Sequence, residues 1–145
     1  MQTSNIDGLI NPYVFFEGRC EEAIEFYKKA LGAEVQLLMR IKDSPVPPPP
    51  GLPPGNENKI MHARLRIGQN TLLVSDGRCS GKPVFQGFFL SISVSTEAEV
   101  DGVFGALAEG GQVGMPLAKT FFSPRFGMLN DRFGVGWMVL VQQQH

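Results

Sequence analysis

A hairpin that occurs twice constrains this chain more than any other feature of its sequence. Residues 125–141, RFGMLNDRFGVGWMVLV, read as two β-strands joined by a tight turn, with Asp131, Gly134 and Gly136 supplying the turn chemistry. Residues 62–75, HARLRIGQNTLLVS, repeat the pattern. A shift of 66 positions sets Arg66 on Arg132, Ile67 on Phe133, Gly68 on Gly134, and Leu72–Val74 on Met138–Leu140. A repeated supersecondary unit means a fold built of two similar halves.

The chain between the hairpins supplies the other elements of each half. Residues 10–16 read as a strand, with Pro12 near its start, where a missing N–H is tolerated. In the next stretch Ala23, Ile24, Tyr27, Ala30 and Leu31 form the stripe of an amphipathic helix. Its acidic residues lie early, Lys28 and Lys29 lie late, and Gly32 ends it. Residues 34–42 predict a second strand. The proline-rich segment that follows, including the loop at 45–55, excludes regular structure and offers a partner's aromatic groove a possible ligand. The second half repeats the order: a strand through GFFLSISVS, a helix opened by Thr96 with Glu99 as a capping box, and a strand near residue 112. The expected fold is α+β: two tandem βαβββ modules at about 8–76 and 87–142, joined by a linker at 77–86. Together they would form a curved, partly closed mixed sheet with helices on its convex side.

Strand alternation sorts the residues by face. Met61, Ala63, Leu65 and Ile67 read as the helix side of their strand, with His62, Arg64 and Arg66 opposite. Phe88, Leu90, Ile92 and Val94 read likewise, leaving Phe89, Ser91 and Ser93 on the concave side. Aligning the halves adds Asn11, Tyr13 and Phe15 to the concave side. The hairpin repeat adds Thr71, Leu73 and Ser75, with Trp137, Val139 and Val141 as their counterparts. The expected small-molecule pocket is lined by Tyr13, His62, Ser75, Phe89, Ser91 and Trp137, with Phe122 and Arg125 of FFSPRFG as a lid. Arg125 would clamp an acidic group.

Composition narrows the partners. A net charge of -1 gives no reason to expect nucleic acid or an anionic membrane, and no stretch is apolar enough to span a bilayer. The N-terminus lacks the pattern of a signal peptide. Cys20 and Cys79 have neither CxxC spacing nor a histidine beside them in sequence. The expectation is a cytoplasmic protein with reduced thiols.

The segments NPYVFFEGRCEEAIEFYKKALGAEV, MHARLRIGQNTLLVSD and MPLAKTFFSPRFGMLNDRFGVGW resemble, in order, the vicinal oxygen chelate superfamily of glyoxalases, extradiol dioxygenases and antibiotic-resistance proteins, and within it the PhnB-like branch. The resemblance implies a homodimer. In enzymatic members, His, Glu or Gln ligands from the first and last strands of each half hold a metal. Carried onto this chain those positions are Asn11, Leu73, Phe89 and Val139, which is not a metal-binding set. No metal and no cofactor are therefore expected. The branch also carries a demethylubiquinone methyltransferase label, but no glycine-rich turn for S-adenosylmethionine is found.

His62 is open to two readings, a general base or a hydrogen-bonded residue of the sheet. Asp76 reads as a cap. No catalytic residue is assigned. The sequence favours a metal-free small-molecule binding protein. The alternative is an enzyme of lyase, isomerase or dioxygenase type, or a methyltransferase.

Overall fold

In a computed structural model that describes residues 7–47 and 50–142, the chain consists of two successive βαβββ modules. The first contains β1 (Tyr13–Phe15), α1 (Cys20–Leu31), β2 (Glu34–Arg40), β3 (Ile60–Ile67) and β4 (Asn70–Ser75), with a 3-10 turn at Ile41–Asp43. The second contains β5 (Leu90–Val94), α2 (Glu97–Ala108), β6 (Gln112–Ala118), β7 (Phe126–Asn130) and β8 (Gly136–Val141). Each module has its own four-stranded mixed sheet, ordered β1-β4-β3-β2 and β5-β8-β7-β6. β1 and β5 join their neighbours in parallel and the remaining pairs are antiparallel.

The helix signals act as expected, with one addition from far along the chain. Gly32 ends α1 in the left-handed region at φ 68°, which glycine adopts without Cβ strain. Thr96 caps α2, its Oγ1 accepting from the Glu99 backbone N–H at 3.1 Å. The Glu99 carboxylate accepts the Thr96 hydroxyl instead of the backbone N–H of a full capping box. No local side chain caps α1. Asp76 does so from the end of β4: its Oδ1 accepts from the N–H groups of Gly18 and Cys20 at 2.9 and 2.8 Å, and its Oδ2 from that of Ile60 at 2.7 Å. One buried carboxylate thus ties together the β1–α1 turn, the start of β3 and the end of β4.

The helix sides of both sheets share a single core. Phe16, Tyr27, Leu65 and Val74 of the first module join Leu107, Leu129, Phe133 and Val139 of the second. Tyr27 packs edge-on against Trp137, with ring centroids 5.8 Å apart. Both donate to Asp131 Oδ2, the Tyr27 hydroxyl at 2.5 Å and Trp137 Nε1 at 2.9 Å. Asp131 Oδ1 accepts from the backbone N–H groups of Phe133 and Val135 at 2.9 and 3.1 Å. The turn residue expected at Asp131 is therefore also the polar joint between the modules.

The two hairpins differ by one residue in their turns, and this corrects one set of faces. Ile67 pairs with Asn70 across a two-residue turn. In the second hairpin the Asp131 N–H donates to the Val135 carbonyl, so the turn holds three residues. Val74 lies opposite Ala63, and Val139 opposite Gly127, so Val139 is the counterpart of Val74 rather than of Leu73. A slip of one residue moves every side chain to the other face. Trp137, Val139 and Val141 accordingly lie on the helix side, in register with Leu90, Ile92 and Val94, and not on the concave side. Met61 is also misplaced by simple alternation. Ile60 is fully buried in its stead, where the β2–β3 register shifts between Met39 and Arg40.

Candidate functional site on the concave face of the first sheet

Strand register lays out this face in rows. Tyr13, Leu73, Arg64 and Leu37 lie side by side across β1, β4, β3 and β2. In the next row Phe15 neighbours Ser75, and His62 neighbours Met39. Tyr13 stacks on Phe15 with centroids 4.8 Å apart and planes inclined by 12°. Its hydroxyl lies 2.8 Å from His62 Nδ1. If the imidazole carries its proton on Nε2, the phenol donates to Nδ1. Burial pushes the Tyr13 phenol above its ordinary pKa and the Cys20 thiol adds to this, while Ser75 opposes it. Tyr13 and Phe15 nevertheless remain 41% and 46% exposed, so their rings offer contact area to a ligand. Alongside lies a hollow of about 360 Å³, lined by Tyr13, Phe15, Phe85, Phe88, Glu17 and Lys82 among others.

Of the eight residues expected at the pocket, Tyr13, His62 and Ser75 share this face. The Ser75 side chain is buried, and its hydroxyl oxygen accepts from the Gly77 N–H at 2.9 Å. Ser91 lines a different cleft of about 410 Å³, between the Leu9–Pro12 segment, the β3–β4 turn and β5. Phe89 lies over Gly136, where an added Cβ would come within 2.8 Å of its ring. Trp137 reaches the Ser91 cleft only from the core and is 4% exposed. Phe122 packs edge-on against Phe126 of the second module. Arg125 is not a free lid residue: its guanidinium is ion-paired to Asp101 on α2. The single converging pocket thus resolves into separate surfaces, because the shared core holds the modules together by their helix sides. Phe88, read from alternation as helix-side, instead lines the hollow beside Tyr13 and Phe15, while Met39 lies beside His62 and Leu37 beside Arg64 on β2. Alternation along β2 could have announced Leu37 and Met39, whereas no local signal marked Phe88, which precedes β5.

Other chemistry-bearing groups are already occupied. Burial and Asp76 push the Cys20 thiol far above its ordinary pKa, and burial raises that of Cys79, so neither is an activated nucleophile. A broad groove of about 650 Å³ between the helices is lined by Glu22, Glu25, Lys29, Glu109 and Arg132, a solvated mixture of signs. Among the described residues, no three His, Cys, Asp or Glu side chains are grouped to hold a metal ion. The four positions taken over from the metal-binding pattern are Asn11, Leu73, Phe89 and Val139, and Val139 is in the core. These residues do not fit the superfamily's metal.

Two tandem βαβββ modules, each with the outer strand parallel to the last, make up the fold seen in glyoxalase-related, bleomycin-resistance and dioxygenase-domain proteins. Solved structures of this kind share the fold at 12–15% identity, with TM-scores of 0.62–0.65. A family model described as 3-demethylubiquinone-9 3-methyltransferase matches residues 9–140, and the chain belongs to that family. It is 34% identical to protein YjdN of Escherichia coli K12 over 142 residues, covering 93% of this chain and 96% of the relative. A crystal structure of protein PA1353 from Pseudomonas aeruginosa superposes with a TM-score of 0.80 at 40% identity, covering 93% of this chain and 98% of the other. A Bacillus cereus structure described as a putative 3-demethylubiquinone-9 3-methyltransferase, PhnB protein, gives 0.75 at 30% identity, covering 91% and 98%. No helix among the described residues is long and apolar enough to cross a membrane.

Proposed function

We propose that this PhnB- and YjdN-like protein is a metal-free receptor for a small molecule with a flat apolar body, bound on the concave face of the first sheet. The observation that carries the reading is the hydrogen-bonded Tyr13–His62 pair, set on a half-exposed aromatic shelf. Stacked rings supply contact area, and the pair orients a polar group of the ligand. The methyl-transfer chemistry named by the family has little support in these residues. At α1, the Gly18 and Cys20 N–H groups already donate to Asp76, and at α2 Thr96 takes the Glu99 N–H. Neither strand-to-helix turn is a glycine-rich cradle for S-adenosylmethionine. A homodimer belongs to the same reading, since Val35, Leu38, Val113 and Met115, away from the Tyr13–Phe15 shelf, leave apolar area for a second chain to cover.

The second reading is an enzyme of the superfamily in which Tyr13 and His62 act as an acid–base pair. Their 2.8 Å contact is the observation in its favour. Metal analysis of protein purified without chelator, together with crystallographic density over Tyr13 and His62, separates the receptor from a metal-holding enzyme, and turnover of the bound molecule that is lost in Tyr13→Phe would separate it from an acid–base one. The receptor reading expects no stoichiometric metal and ligand density on the shelf. One equivalent of metal, lost in His62→Ala, would overturn it in favour of the enzyme. Sedimentation at micromolar concentration tests the dimer, and a monomer there would refute it.

A further inference from the structure

We infer that Arg64 reads an anionic group on the ligand, so that the molecule received by this face is a flat, apolar anion such as an aromatic carboxylate. This rests on the receptor reading given above. Among the described residues, Arg19, Arg40, Arg66, Arg125 and Arg132 each lie within 4.0 Å of a carboxylate, while Arg64 and Arg78 do not, and of these two only Arg64 lies on a strand of this sheet. The contrast is sharpest along β3 itself. Arg66 has Glu34 directly across on β2 and pairs with it at 3.1 Å. Two residues earlier on the same face, Arg64 has Leu37 across on one side and Leu73 on the other. A guanidinium between two leucines can lay its stem along them and keep its head and its fork of donors free. The row it occupies ends at Tyr13, and His62 is its same-face neighbour on β3. An aromatic body on Tyr13 and Phe15 would therefore extend over Leu73 and carry its acid to Arg64. Arg125, the other arginine considered for this role, is held by α2.

The test uses benzoate and its neutral counterpart benzyl alcohol as probes, titrated into the full ¹⁵N-labelled chain and followed by amide chemical shifts. Benzoate should perturb the amides around residues 13–15, 62–66 and 73–75 and bind several-fold more tightly than benzyl alcohol. Arg64→Gln should weaken benzoate by about tenfold, the loss typical of a charge-assisted contact, and leave benzyl alcohol unchanged. Arg64→Lys should restore part of the difference, since it keeps the charge without the fork. The spectra themselves report whether each variant folds. Equal affinity of the two probes on this face, or equal loss of both in Arg64→Gln, would refute the role of Arg64 while leaving the receptor reading in place. If neither probe perturbs this face, the receptor reading fails and the inference fails with it.

Discussion

The two modules share a fold and spend their sheets differently. The concave face of the first bears a phenol, an imidazole and a guanidinium at Tyr13, His62 and Arg64, the last without a carboxylate partner among the described residues. On the second, the corresponding central strands place Met128 beside Met138 and Phe126 beside Leu140. The helix sides differ in the opposite sense. The first module lends Tyr27 to the joint, while the second supplies the buried acceptor Asp131 and Trp137. A repeated architecture leaves one copy free to keep polar side chains on its open face, provided the other carries the connection.

Breaking the connection should have the largest effect. Asp131→Ala strands the Tyr27 hydroxyl, Trp137 Nε1 and two backbone N–H groups, and should cost about 3–5 kcal/mol in urea unfolding. Asp76→Ala strands three backbone donors within the first module and should cost less, about 2–3 kcal/mol. The reverse ranking would break the comparison.

A smaller effect sharpens it at a matched pair of sites. Ala63 and Gly127 occupy equivalent places, opposite Val74 and Val139. A Cβ on Gly127 would come within 2.7 Å of the Phe104 ring and 2.9 Å of Leu117. Gly127→Ala should cost about 1–3 kcal/mol by overpacking, measured by thermal or urea unfolding. No loss would mean that α2 yields where α1 does not.

The proton linkage of the first module gives a third measurement. Burial raises the folded-state pKa of Cys20 and of Tyr27, with Asp76 adding to the first and Asp131 to the second. In each case the native state keeps a proton that the unfolded chain releases. Their stabilising contribution is complete below the unfolded values, about 8.5 and 10, and is lost as pH rises past them toward the folded values. Unfolding midpoints should fall between pH 8 and 11, and Cys20→Ala should flatten the earlier part of that fall. A flat profile would contradict the burial of these groups.

The smallest effect is expected at Arg125. Its pair with Asp101 is partly exposed, so Arg125→Ala should change stability by less than about 1 kcal/mol. It should also leave binding on the first sheet unchanged in the benzoate titration.

These differences mark how far the sequence could be read. Element order, the Gly32 and Thr96 signals and the inward sets Ala63, Leu65 and Leu90, Ile92, Val94 were legible, because each rests on local periodicity or capping. Tyr13, His62 and Ser75 were also legible as neighbours on one face. Trp137 was not, because its face depends on whether a turn contains two residues or three, and glycines at matching positions conceal that difference. Arg125 was not legible either, since its partner Asp101 belongs to another element and no local pattern links them.

The carboxylate that accepts the Tyr27 hydroxyl also bears on heredity. Although the halves look like copies of one ancestral unit, neither can now be exchanged freely for another. A first half brought in by recombination must present a hydroxyl donor at position 27, and a second half must present its acceptor at position 131. Without the acceptor the buried hydroxyl is stranded, and without the hydroxyl Asp131 keeps only Trp137 Nε1 and two backbone N–H groups. In chimaeras between relatives, crossovers in the linker should therefore be best tolerated when both positions come as a matched set.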